Sequence, residues 1–257
     1  MKINRVKEML SRGEVTLGTW VTIGSPDVAE ILANLCFDWL VYDTEHAPLS
    51  IETVQSMIQA TSATNVTSFI RVAWNDMVLI KRALDIGAYG VVVPWVNNRD
   101  DAIRAVKATQ YPPKGVRGVG PRRSALYGLD SADYFRKAET ELLTIVQIET
   151  PEAVKNIDDI LTVEGVGLFF IGPTDLTTAL GIEGVDQNHP KFIEALEKVL
   201  EAGGKYGVPG GIMTYNEHHV RNAVERGFKF ISLASDFRLL ITGAKSMLAT
   251  AGNKRIP

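Results

Sequence analysis

Residues 38–72, DWLVYDTEHAPLSIETVQSMIQATSATNVTSFIRV, read as a strand, a helix and a second strand. Leu40, Val41 and Tyr42 are apolar and β-prone, and Pro48 stops the run. Ser50 then offers a side-chain cap to IETVQSMIQA, after which TSFIRV (67–72) is again strand-like. Two apolar strands joined through a helix imply parallel neighbours covered on both faces.

The same unit recurs in both directions along the chain. Further strand-like runs are LGTWV (17–21), GVVVP (90–94), LTIVQIE (143–149), VGLFFIG (166–172), VPGGIM (208–213) and FKFISLA (228–234). With 38–43 and 67–72 they make eight, in a chain of 257 residues. That is the size of one (β/α)8 TIM barrel, so we expect a single α/β barrel domain over 1–257. The rival is a doubly wound open sheet, which would carry a glycine-rich turn after its first strand; GTWVTIGSP is not one. In SPDVAEILANLCF, Ser25 and Pro26 open a helix whose apolar stripe is Val28, Ile31, Leu32, Leu35 and Cys36. Asp76 precedes another helix, closed by Gly87. The irregular stretch 111–128, YPPKGVRGVGPRRSALYG, reads as a long loop; its GVRGVG follows no strand and is a poor phosphate cradle.

Composition excludes several classes. Lys and Arg total 27 against 30 Asp and Glu, for a net charge of −3, so no basic field invites nucleic acid. Cys36 is the only cysteine, which rules out an intramolecular disulfide and zinc fingers; on the helix stripe it is expected as a small buried hydrophobe. No apolar run is long enough to span a membrane, and MKINRVKEML lacks a signal-peptide core, so a cytoplasmic protein is expected.

In a barrel the chemistry lies where the strands end. Asp43 and His46 follow the second strand, Arg71 the third, Gln147 and Glu149 the fifth, and Thr174 and Asp175 the sixth. By period-2 alternation Val146 and Ile148 face the helices, while Gln147 and Glu149 face the barrel interior. By the same parity Trp39, Val41 and Asp43 share a face, as do Phe69 and Arg71. Each residue also has an ordinary structural reading: Asp175 as a helix-start residue, Arg71 as a partner of Asp43 or Glu45, His46 as a surface histidine. So many polar groups at one barrel mouth require mutual pairing or a ligand to offset desolvation. Glu149 and Asp175 form a hard-oxygen set suited to Mg²⁺ or Mn²⁺. His46 is the candidate base, with Asp43 to orient it and raise its pKa.

With DTEHAP, IRVAWND, YPPKGVRGVG, VQIET and IGPTDL in this order, the chain resembles the HpcH/HpaI aldolase family from about residue 13 to about 245. The resemblance implies a class II, divalent-metal-dependent pyruvate aldolase (Mg²⁺, Mn²⁺ or Co²⁺) acting on a 4-hydroxy-2-oxo acid. Carried over by motif, His46 is the proton acceptor, Arg71 stabilises the developing enolate, Glu149 and Asp175 ligate the metal, and Gln147 with Thr174–Asp175 contacts the pyruvoyl part. The family also assigns Asp85 to raising the basicity of the histidine, although Asp85 falls late in a helix that runs away from the strand ends. Members often have Ala at the position of Thr174 and Ser at that of Thr177. A hexameric homo-oligomer is implied too, with the amphipathic FRLLITGAKSMLATAG (237–252) as a candidate interface.

No strand end offers an inward lysine for a Schiff base, since Lys229 opens its strand. Two alternatives stay open: a CoA-ester lyase or other C–C or P–C bond enzyme on the same barrel, and a barrel that only binds a keto acid. Arg117, Arg122 and Arg123 are candidates to meet a distal anionic group on the aldehyde half, against a solvated basic loop. Trp20 either walls the pocket or packs.

Overall fold

The computed structural model describes residues 1–251. Eight parallel strands close in sequence order: β1 (Thr16–Val21), β2 (Trp39–Asp43), β3 (Thr67–Arg71), β4 (Gly90–Val93), β5 (Leu143–Ile148), β6 (Val166–Ile171), β7 (Gly210–Thr214) and β8 (Phe230–Ser235). The open-sheet alternative is thereby excluded. Helix α1 (Arg5–Ser11) packs Val6 and Leu10 against the interior cluster, and outside the barrel lie α2 (Pro26–Ala33), α3 (Ile51–Ala60), α4 (Met77–Asp85), α5 (Arg99–Thr109) and α6 (Ser131–Glu141). The second half adds α7 (Pro151–Lys155), α8 (Ile157–Leu161), α9 (Pro173–Ala179), α10 (Pro190–Tyr206), α11 (Glu217–Glu225) and α12 (Asp236–Thr250). No helix among the described residues is long and apolar enough to cross a membrane.

Alternation along the strands separates two cores. Val146, Ile148, Tyr42 and Ile70 pack outward against the helices. Trp39, Val41, Phe69, Ile145, Phe170 and Phe230 fill the barrel. Trp39 stacks on Phe230 at 3.7 Å between centroids, and Phe69 and Phe170 meet Phe230 edge-on. Gly18 makes this possible: a Cβ there would stand 2.0 Å from the Trp39 ring. The polar ends of the inward rows, Asp43, Arg71 and Gln147, therefore emerge at one mouth above an aromatic floor.

Helix starts follow the local chemistry in two of three expected places. Ser50 accepts from Thr53 N, and Asp76 accepts from Val78 N and Leu79 N. Ser25 occupies the cap position of α2 with Pro26 in the first turn, but its side chain makes no capping bond. The expected stripe on α2 is also corrected. The helix ends at Ala33 and buries Ala29, Leu32 and Ala33, leaving Ile31 and Leu35 exposed. Cys36 lies beyond it at φ 63° and is exposed, not buried.

The loop 111–128 docks at the strand starts. Arg117 is fully buried, with Nη2 donating to Asp85 Oδ1 (2.6 Å) and Tyr134 Oη (2.9 Å), and its guanidinium lies 4.5 Å over the Tyr111 ring. Arg123 Nη1 donates to Ile86 O just past α4. Helix α4 runs from the end of β3 back to the start of β4, so these groups sit at the opposite end of the barrel from the polar mouth. Within this chain Arg117 and Arg123 fasten the loop and do not reach a substrate there.

Candidate active site

The register of β2 and β3 sets Asp43 directly beside Arg71. Arg71 Nε donates to Asp43 Oδ1 at 2.9 Å and Nη2 to Oδ2 at 2.7 Å, a two-pronged pair. Asp43 Oδ1 also accepts the backbone N–H groups of Glu45 and His46. Burial works against ionisation of Asp43, but the Arg71 bonds and charge, with these two amides, outweigh it and hold the pKa below the ordinary carboxylate value. The expected partnership with the His46 ring is thus corrected: Asp43 is committed to Arg71 and touches only the backbone of His46. Burial likewise opposes the charge of Arg71, yet Asp43, Glu45 and Glu149 together raise its pKa. Trp20 lies beneath, with the guanidinium 4.4 Å from its ring centroid, so its role is to carry Arg71.

Glu45, expected only as an alternative partner of Arg71, points into the same cluster. Its Oε2 is 3.1 Å from Arg71 Nη1 and 3.8 Å from His46 Nε2. Burial pushes its pKa up to about 7, with Arg71 opposing and the charges of Asp43 and Asp175 adding to the rise. His46 itself is at the rim, with 64% of its side chain exposed. Asp85 is not near it: it is the last residue of α4, ion-paired with Arg117. Within this chain the carboxylate nearest the imidazole is therefore Glu45, and neither Asp43 nor Asp85 orients that ring.

Gln147 and Glu149 point inward at the end of β5, as parity predicts, and both are buried. Glu149 Oε1 accepts from Trp95 N at 2.8 Å, and Gln147 Nε2 donates to Glu149 Oε2. The Trp95 amide is presented from a left-handed backbone conformation, φ 55°, which no sequence pattern announced. Burial pushes the Glu149 carboxyl up to about 7; Asp175 and Glu45 add to the rise, while the Trp95 N–H and Gln147 counter it. Asp175 is exposed in the first turn of α9, after Gly172 and Pro173.

Gly172 shows how these groups converge. A Cβ placed there would lie 3.1 Å from Gln147 Nε2, 3.4 Å from Glu149 Oε2 and 3.6 Å from Asp175 Oδ2. The space is free only because this residue is glycine. Gln147 Oε1 is buried beside it without a partner. Among the described residues no group of three or more His, Cys, Asp or Glu is placed to hold an ion. The donor set is instead two carboxylates on a shared hollow, the buried one, Glu149, carrying a charge that burial makes costly. Hard oxygen donors, an orphaned amide oxygen and mutual repulsion between acids fit a Mg²⁺- or Mn²⁺-type cation that completes its shell with water or substrate oxygens.

The chain is similar to known proteins over nearly its whole length. The sequence model of the HpcH/HpaI aldolase/citrate lyase family matches residues 16–243. A 4-hydroxy-2-oxo-heptane-1,7-dioate aldolase from Shigella flexneri is 39% identical over 251 residues, covering 97% of this chain and 94% of that one. A hydroxypyruvate/pyruvate aldolase from Sagittula stellata is 38% identical over 242 residues, covering 94% and 95%. Among solved structures, an HpcH/HpaI aldolase/citrate lyase family protein from Burkholderia cenocepacia superposes with a TM-score of 0.92 at 33% identity, over 96% of this chain and 99% of that one. With the motif strands, the closed barrel and near-full-length similarity all in accord, this chain belongs to the HpcH/HpaI aldolase/citrate lyase family.

Proposed function

We propose that this chain is a divalent-metal-dependent aldolase that reversibly cleaves a 4-hydroxy-2-oxo acid to pyruvate and an aldehyde. The observation that carries the reading is the convergence of Glu149 and Asp175 on the Gly172 hollow, at the same mouth as the Arg71 guanidinium. Glu149 and Asp175 are the residues that would hold the cation, Mg²⁺ or Mn²⁺ by donor type and Co²⁺ by family resemblance. Bound there, it supplies Lewis acidity toward the oxygens of the keto acid.

The residues of this chain supply the rest. Gln147 and the Thr174–Asp175 turn meet the pyruvoyl half. His46, at the open rim, takes the proton of the C4 hydroxyl. As C4–O becomes the aldehyde carbonyl, the C3–C4 bond breaks and its electron pair moves into the C2–C3 enolate. Arg71, gripped by Asp43 and seated on Trp20, presents its remaining N–H groups to that developing negative charge without reorganising. A proton delivered to C3 then gives the methyl group of pyruvate. Glu45 is the carboxyl beside the His46 ring, with Oε2 3.8 Å from Nε2.

Coupling pyruvate release to lactate dehydrogenase over a panel of 4-hydroxy-2-oxo acids tests this. Activity is expected to disappear with EDTA and return on adding Mg²⁺ or Mn²⁺. Absence of metal-dependent pyruvate release from every member of the panel would overturn the assignment.

A cytoplasmic homo-oligomer, hexameric as the resemblance implies, is part of the same proposal. Self-association is supported by Phe237, Leu240, Ile241 and Met247, exposed along α12, which buries only Asp236. The final residue of the sequence stretch expected as this helix, Gly252, lies outside the described residues. Sedimentation equilibrium is expected to show a mass several times that of the chain; a monomer would oppose this.

A further inference from the structure

Across the mouth from Arg71, β7 leads into a residue that the chemistry above does not use. Tyr215 follows Thr214, and its hydroxyl lies 2.8 Å from Thr174 Oγ1, so the ends of β6 and β7 are tied at the rim beside Asp175. The Arg238 guanidinium of α12 stands 5.0 Å over the Tyr215 ring, and His219 of α11 meets the ring nearly edge-on, 6.2 Å between centroids. The ring is held on three sides, which makes it a fixed wall. Burial pushes the phenol pKa above its ordinary value; Thr174, Arg238 and Arg71 oppose the rise and Asp175 adds to it. The hydroxyl is thus a neutral donor and acceptor within the electrostatic reach of two groups that frame the keto acid.

We propose that Tyr215 is a specificity-determining residue for the aldehyde half of the substrate. With Thr174 it bounds the rim so that short aldehydes carrying a hydroxyl beside the carbonyl are favoured and longer apolar ones are rejected. The proposal rests on the aldolase reading above. Between the two hydroxyls only one hydrogen is spent, which leaves a second hydrogen and several lone pairs for a third hydroxyl to join. An alkyl chain in the same place would desolvate the pair and return no hydrogen bond. The phenol ring also fills rim volume beside Thr174, which Tyr215→Ala would vacate.

The test is the aldol direction, with pyruvate and Mn²⁺, comparing kcat/KM for glycolaldehyde, propanal and pentanal in the unmodified chain, Tyr215→Phe and Tyr215→Ala. Tyr215→Phe is expected to lower the glycolaldehyde-to-propanal ratio by about tenfold, and Tyr215→Ala to raise the pentanal-to-propanal ratio by about tenfold. Each ratio is taken within one preparation, so partial loss of folded protein cancels. Mn²⁺-dependent exchange of the pyruvate methyl protons into D2O is followed in parallel by NMR. If the unmodified chain shows no exchange and forms no aldol product, the aldolase reading itself fails. If it shows exchange but both ratios stay within about twofold of its own values in the two variants, the Tyr215 proposal is overturned and the aldolase reading stands.

Discussion

An Arg71→Met variant is expected to lose about a hundredfold to a thousandfold in kcat for aldol cleavage, the range for removing one preorganised donor aimed at developing negative charge. It is also expected to lose about 3 to 5 kcal/mol of stability, because Asp43 would be left buried without its cation. The two effects separate in a double variant. Asp43→Asn together with Arg71→Met removes both buried charges, so urea denaturation is expected to recover most of the lost stability while kcat stays low. Recovery of activity in the double variant would show that Arg71 matters only as a counter-ion to Asp43. The acid limb of the stability curve is a further check. Asp43 titrates below its ordinary value when folded, so its contribution is complete above the ordinary carboxylate pKa and is lost as pH falls through the lowered one. Asp43→Asn should flatten that limb and leave stability above neutral pH without added pH dependence.

The second large effect is expected at the Gly172 hollow. Glu149→Gln should weaken Mn²⁺ binding by about a hundredfold or more, judged against the 10- to 100-fold typical for groups that only support a ligand. Both carboxylate oxygens accept N–H groups, from Trp95 and from Gln147, so an amide there must turn a donor toward a donor. Gly172→Ala leaves every ligand in place and inserts one methyl within 3.6 Å of Glu149 Oε2, Asp175 Oδ2 and Gln147 Nε2. It should weaken Mn²⁺ binding by about tenfold, less than the loss of a ligand, in a chain that melts cooperatively. Titration followed by Mn²⁺ electron paramagnetic resonance reads both. Unchanged binding in Glu149→Gln would remove Glu149 from the site.

The sequence made the barrel legible because each strand is an apolar run bounded by a polar turn, and the parity of β5 points Gln147 and Glu149 inward. Pairing across strands was less accessible. That Asp43 belongs to Arg71 and not to the His46 ring follows from β2–β3 register, and register is a property of the assembled sheet. Helix direction was legible for Asp85, which falls at the end of α4 away from the strand ends, but not the docking of loop 111–128 there, which ties Arg117 to Asp85 and Arg123 to Ile86. Leu35 and Cys36 fit a helical stripe in the sequence, but α2 stops at Ala33, so the periodicity ran past the element that gave it meaning; Ile31 lies within α2 and is exposed. Trp95 supplies its amide through an unusual backbone angle, and Tyr215 reaches Thr174 in the first turn of α9 through its hydroxyl; neither leaves a mark in residue order.

The stacked Trp39–Phe230 pair turns the barrel into a blind well. Traffic has a single door, and whatever binds against the deep end must wait for whatever stands in the doorway. In the proposed reaction the aldehyde therefore departs before pyruvate, and in synthesis pyruvate enters first. Such an ordered sequence makes pyruvate a competitive product inhibitor of cleavage and the aldehyde a noncompetitive one.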